Sequence, residues 1–291
     1  MTKADKRQQL VLTIAFSVVC ALVLIPFLLV VSISLSSEKD IMEYGYKLIP
    51  KKIDFAAYKY VFMAPASILN AYKVTSIVSV ASMVLGVTLK AMLAFVLSRK
   101  GLKGRQAMSF YLYFTVLFSG GMVPTYILMS QYLHLTDTIW VYILRGLISP
   151  WHVFMLRTFF QGIPDEITEA AVIDGASEYR IFAQLVVPMS KPAIATVALF
   201  MFLGKWNDWT TAMLYINDES LISLQYLLQR IMQNIQLVET DPAYAAMYDG
   251  EIPSETVRMV MAVVVAGPAL VVFPFFQKYF VKGITVGAVK G

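Results

Sequence analysis

The chain has a single cysteine in 291 residues. Cys20 has no second thiol to meet, so a disulfide within the chain is excluded. Charge is also scarce: Asp, Glu, Lys and Arg make up 15%, against 58% hydrophobic residues and a mean hydropathy of +0.66. A soluble domain carries roughly 25% charged residues, so this balance excludes one and predicts an integral membrane protein. No glycine-rich loop ends in Lys-Ser or Lys-Thr, so the chain cannot hydrolyse a nucleotide by the phosphate-loop route. His134 and His152 stand alone, and no His, Cys and carboxylate cluster has metal-ligand spacing. No metal or resident cofactor is expected. A membrane-embedded enzyme, for instance a transferase acting on a lipid-linked sugar, would need acids and histidines grouped around a cavity, and none is grouped here. The net charge of +5 suits cytoplasmic Lys and Arg better than nucleic-acid binding.

Six apolar stretches remain, at 10–33, 71–97, 107–129, 139–160, 192–214 and 257–280. Each is long enough to cross a bilayer as a helix of about 20 residues, and none alternates as a strand would. The first is too long for a signal-peptide core and reads as a retained anchor. The expected fold class is therefore all-α integral membrane, six transmembrane helices in a single domain over 1–291. An even number of spans places both termini on one side. Arg99, Lys100, Lys103 and Arg105 sit in a loop without acids, and the stretch from 215 to 256 is acidic. Positive loops face the cytoplasm, so both termini are expected there. The loop at 34–70, rich in Lys, disagrees, but long loops follow the rule poorly.

One polar segment, about 161–190, interrupts the greasy pattern. Asp165 is placed to cap a helix that carries Glu166 and Glu169 near its N-terminus, where the dipole favours negative charge. Ile167, Ala170 and Ala171 share one face. Gly175 suits the left-handed turn that ends a helix, Ser177 suits the cap of the next, and Pro188 ends it. In the outer loop at about 215–256, Leu221, Leu224, Leu228, Ile231 and Ile235 recur at helical spacing, which predicts an amphipathic helix.

Trp206, Asn207, Asp208 and Trp209 could form a sugar path, with indoles against sugar faces and amide or carboxylate on the hydroxyls. An interfacial aromatic belt is the alternative. Lys90, Arg145 and Lys205 lie within or near spans, where charge is expensive. Lys90 is expected to snorkel to the interface. Arg145 and Lys205 together suggest an anionic cargo, and an acid on a partner subunit would answer them equally well.

The run Glu169-Ala170-Ala171, then Gly175, then Leu185-Val186-Val187-Pro188 resembles the EAA signature of membrane subunits of bacterial ABC importers. The usual ending is Ile, any residue, Leu, Pro; here Leu185 and Val187 substitute. Ser119 to Tyr126, Thr138-Ile139-Trp140, Leu156 to Phe160 and Trp206 to Trp209 resemble the carbohydrate, maltose-type branch, in its oligosaccharide-uptake subgroup. The likeness runs from the second span to the end. It implies a type I importer permease in the bacterial cytoplasmic membrane that forms half of a pore as a heterodimer with a second permease. Two ATPase subunits would use ATP and Mg2+, and an extracytoplasmic substrate-binding protein would deliver oligosaccharide cargo. Glu169, Ala170, Ala171, Asp174, Gly175 and Pro188 would couple to the ATPase. The tail, with Gly287, Lys290 and Gly291, would contact it. Trp206, Asn207, Asp208, Trp209 and Arg145 would line the cargo path. A permease for a non-sugar solute is the alternative within the same architecture.

Overall fold

The computed structural model describes residues 3–63, 65–241 and 254–288, with backbone alone at 3–7, 278 and 280–288. Among these residues every element is helical except one isolated bridge between Ser36 and Ile53. Three helices are long and apolar enough to cross a membrane unbroken: α1 (Lys3–Ser34), α4 (Pro65–Ser98) and the C-terminal helix beginning at Ser254. Two bent pairs raise the number to five.

Three of the six predicted stretches are not single rods, and the sequence at each break says why. Stretch 107–129 divides into α5 (Arg105–Leu117) and α6 (Met122–Ile127), the latter continuing as a π turn to Tyr132, with a 112° bend between. Gly121 sits at φ 87°, a conformation that glycine adopts without a Cβ clash, and Pro124 falls in the first turn of α6, where its missing N–H leaves no bond unmade. Stretch 139–160 divides into α7 (Ile139–Leu144) and α8 (Pro150–Gln161), separated by Gly146 at φ 72° and restarted by Pro150 at the first helical position. Stretch 192–214 divides at Asn207–Trp209.

The polar segment forms α9 (Asp165–Ile173) and α10 (Glu178–Ile181), then a π turn (Phe182–Val186) and α11 (Val187–Met189). An 84° bend leads into α12 (Lys191–Trp206), followed by α13 (Thr210–Tyr215). The amphipathic reading of the loop at about 215–256 holds as α14 (Leu224–Thr240): Leu224, Leu228 and Ile235 are buried while Gln233 and Gln236 are exposed. The last helix, α15 (Ser254–Ala288), starts beyond residues 242–253, which lie outside the described set.

The chain divides into two compact units, 1–66 with 228–268, and 67–227 with 269–291. In the first, α2 (Glu38–Tyr44) and α3 (Ala56–Val61) give order to the long 34–70 loop. Ser32 Oγ donates to the Lys47 carbonyl at 2.7 Å. The Glu38 carboxylate accepts the backbone N–H groups of Glu255 and Thr256 at 2.9 and 3.0 Å. An anion there satisfies donors that the first turn of a helix leaves unpaired.

The second unit holds two apolar clusters. One gathers Ala91, Ala94 and Leu97 of α4, Val153 and Leu156 of α8, and Ala193 and Val197 of α12. The other gathers Val74 and Val78 of α4 with Val141 and Tyr142 of α7 and Ala212 and Tyr215 of α13. The stretch of α4 between them is polar on its buried face: Ser79, Ser82 and Lys90.

Candidate functional site

α9 is held out from the body of its unit. Glu169, Ala170, Asp174 and Gly175 are exposed, Ala171 is half-buried, and Ile173 is 85% exposed. An apolar residue displayed this way on a short helix is a docking feature rather than a core one. The predicted turn is present. Gly175 lies at φ 76°, its N–H donates to the Val172 carbonyl at 3.0 Å, and the Ala176 N–H reaches back to Ala171 at 2.9 Å. Those bonds satisfy the last carbonyls of α9 in the manner of a left-handed cap. Ser177 caps α10, accepting from the Arg180 N–H at 3.3 Å.

Asp165 is not the cap of α9. Pro164 occupies that position, Asp165 is the first helical residue, and its carboxylate turns to Lys100, whose Nζ donates to Oδ2 at 2.5 Å. The hydrogen bond and charge of Asp165 raise the Lys100 pKa above its usual value. A second tie runs from Arg99 Nη2 to Glu178 Oε1 at 2.8 Å. The end of α4 is thus clasped on both sides of the Gly175 turn. Between clasp and helix lies an open groove of about 1030 Å³, lined by Arg105, Phe160, Glu169 and Val172 among others. The Lys100–Asp165 pair is exposed and Arg99 only half-buried, so their contribution is geometric more than energetic. Arg180 makes a local bond to Gln184 at 2.9 Å. Pro188 follows the π turn, in which the Val187 N–H reaches the carbonyl of Phe182.

The second predicted group is drawn into one network. Arg145 Nη1 lies 3.9 Å from Asp208 Oδ2 and donates to Thr211 Oγ1 at 2.7 Å. Asp208 also accepts from the Thr211 N–H at 3.0 Å and from the Thr211 hydroxyl at 2.5 Å, which starts α13. Lys205 Nζ donates to the carbonyls of Tyr142 and, at 2.6 Å, Arg145. An ammonium on the last carbonyls of α7 complements the negative end of that helix. Asn207 Oδ1 accepts from Gln225 at 2.9 Å. Trp206 is 3% exposed, stacked on Phe202 at 5.7 Å between centroids and tilted against Tyr72. In this conformation its indole is enclosed. Asn207 is exposed and Trp209 half-buried.

The comparisons with known proteins meet this geometry. The family described as "Binding-protein-dependent transport system inner membrane component" matches residues 10–286. The chain belongs to that family. It is a multi-pass membrane component of a transport system. Protein LplC of Bacillus subtilis is 36% identical over 271 residues, 93% of this chain and 90% of that protein. The polygalacturonan/rhamnogalacturonan transport system permease protein YtcP of Bacillus subtilis is 37% identical over 277 residues, 95% of this chain and 94% of that one. Among solved structures, a chain of a bacterial ABC transporter involved in the import of the acidic polysaccharide alginate superposes with a TM-score of 0.79. It is 27% identical and covers 96% of this chain and 99% of its own. The fold is therefore that of a type I ABC importer permease.

In this family member one further expectation needs correcting. Lys90 does not snorkel: it is 1% exposed, because α8 and α12 close over it. Of the predicted tail residues, Gly287 lies in the backbone of α15, while Lys290 and Gly291 lie outside the described residues.

Asp137, ahead of α7, escaped sequence reading. Its Oδ1 accepts the N–H groups of Asn217 and Asp218 at 2.5 and 2.9 Å, and Oδ2 accepts from the Asn217 amide at 3.2 Å. These bonds hold its carboxyl below the usual 3.8. A lowered folded pKa contributes stability that is fully present above 3.8 and is lost as pH falls through the folded value. Hydrogen exchange at the Asn217 and Asp218 amides is therefore expected to stay protected from neutral pH down to 3.8 and to loosen only below it. Asp137→Ala is expected to remove that protection at every pH.

Proposed function

We propose that this permease forms one half of a heterodimeric pore that imports acidic, uronate-type oligosaccharides. Two ATPase subunits seat α9 and α10 and supply the energy. An extracytoplasmic binding protein delivers the cargo. The observation that carries the coupling role is the exposed pair α9 and α10, joined by a left-handed glycine and tied to the end of α4 by Lys100 at α9 and Arg99 at α10. A short helix pair tied once on each helix moves as a rigid body, and its motion is passed to the membrane helix to which it is tied. Glu169 and Asp174 present free carboxylate edges to the ATPase, with Ala170 and Ala171 allowing close approach and Pro188 fixing the exit of the lever. Gly287, Lys290 and Gly291 approach the ATPases from the chain's end. Both termini and this segment then face the cytoplasm.

The cargo class draws its support from two relatives, one named for polygalacturonan and rhamnogalacturonan and one from an importer of alginate. Trp209 and Asn207 are the members of the predicted path that offer surface to a sugar. Arg145 and Asp208 hold the path's wall, and Trp206 is enclosed behind it by Phe202 and Tyr72. The test is uptake into vesicles that contain both permeases and the ATPases, supplied with binding protein and ATP. An oligogalacturonate is expected to accumulate and to be competed by its own kind. Preference for the neutral oligomer of equal length would overturn the cargo assignment, and accumulation without ATP would overturn the coupling.

A further inference from the structure

Of the three cations that the sequence places within or near spans, Lys90, Arg145 and Lys205, two are answered. Arg145 has Asp208 and Thr211, and Lys205 has two helix-end carbonyls. Lys90 is different. Its ammonium is fully enclosed, and its contacts are the Met201 sulfur at 2.7 Å and the His152 Nδ1 at 3.5 Å. No carboxylate pairs with it among the described residues. A thioether is a weak acceptor, and an imidazole at that distance is at the limit of a bond. Burying a charge with so little compensation is costly, and in a membrane helix such a residue marks a pathway by default.

The surroundings have the form of a site rather than of a defect. Ser79 and Ser82 precede Lys90 on the same buried face of α4, at spacings of a few helical turns. Both hydroxyls are completely buried and have no hydrogen-bond partner among the described residues. Two orphaned hydroxyls and an unanswered ammonium in one seam are donors awaiting acceptors. Gly86 lies between them, and its bareness has a purpose: a Cβ there would stand 2.4 Å from the Met201 methyl and 2.8 Å from its sulfur. Met201 therefore rests in a niche on α4 directly over Lys90. Methionine is unbranched and changes rotamer with little resistance from its neighbours. Its departure from the niche would remove the side chain of α12 that contacts the Lys90 ammonium.

We infer that the Ser79–Ser82–Lys90 face of α4, covered by Met201 in this conformation, is a binding site for a carboxylate of the passing cargo. The inference rests on the acidic-cargo reading and assigns its recognition to a residue other than Arg145. Lys90 supplies the charge, the two serines supply donors to sugar oxygens, and His152, stacked on Phe200, borders the ammonium. One carboxylate at a time can be held, which suits a polymer that must move on rather than stay.

The test uses the assembled importer in vesicles and two probes: an oligogalacturonate, and the same oligomer with its carboxyls reduced to alcohols. Lys90→Met is expected to raise the uptake KM of the acidic probe about tenfold or more, the scale of one lost charge-assisted hydrogen bond. The KM of the reduced probe should stay within about twofold of wild type. Met201→Glu provides the control for folding, because it leaves Lys90 in place and gives it a permanent carboxylate. It is expected to discriminate against the acidic probe in the same way. Equal changes for both probes in both variants would overturn the site and make Lys90 a packing element. Wild-type protein that transports the reduced probe in preference would overturn the cargo reading instead.

Discussion

Asp208→Ala is expected to destabilise the assembled permease by about 3 kcal/mol, the lower end of the range for breaking a buried ion pair. The low end applies because the Arg145 side chain is still 31% exposed, against 14% for Asp208. The loss has two parts. Arg145 keeps Thr211 but is left with no anion in a low-dielectric setting. The Thr211 N–H and hydroxyl lose their acceptor at the start of α13. Asp208→Asn separates the two, since an amide oxygen still accepts the Thr211 N–H while the charge is gone; it should cost roughly half as much. Arg145→Leu combined with Asp208→Leu should recover part of the loss, because an apolar pair leaves no unpaired charge. Thermal unfolding of the purified complex, followed by size-exclusion, reads all three. If the double replacement is worse than Asp208→Ala, the two side chains do not act as a pair.

Gly175→Val should leave the stability of the membrane unit nearly unchanged and lower ATP-driven uptake by more than about tenfold. At φ 76° a valine meets the left-handed penalty of about 1–2 kcal/mol, and its β-branch adds crowding. The segment is exposed, so the strain is relieved locally by redirecting the chain, and α9 and α10 then meet at a different angle. Asn enters the left-handed region readily, so Gly175→Asn should retain most of the transport. The comparison of Val with Asn isolates backbone geometry from side-chain bulk. Equal transport by both would show that the angle at this turn is immaterial.

The coupling segment was the most legible part of the sequence because its signals are local. A glycine for the turn, a serine for the cap and a proline at the exit act within a few residues of themselves, and Gly175 and Ser177 do what their types predict. Asp165 was misplaced for the same reason in reverse: Lys100, 65 residues earlier in the chain, takes its carboxylate, and no local pattern carries that competition. Hydropathy found the apolar stretches but not their breaks. The positive φ of Gly121 and Gly146 divides what a window average joins. The acid partner of Arg145 was already in view as Asp208, yet it was read as a sugar ligand, since spacing cannot say that α7 and the start of α13 meet. Lys90 was assigned to an interface by its distance from the helix end. Its enclosure depends on Met201 and His152, 111 and 62 positions away.

From Gln8 to Leu28, every residue of α1 is exposed in the single chain. Within this chain that rod has no jigsaw to satisfy. Exchanging one aliphatic letter for another leaves its surroundings indifferent, whereas a Lys, Arg or Asp at mid-depth would cost about 2.5–3.5 kcal/mol of insertion free energy. Its spelling is therefore free to drift while its oiliness and its span are not, and two orthologues could share almost no identity there and still keep the same anchor.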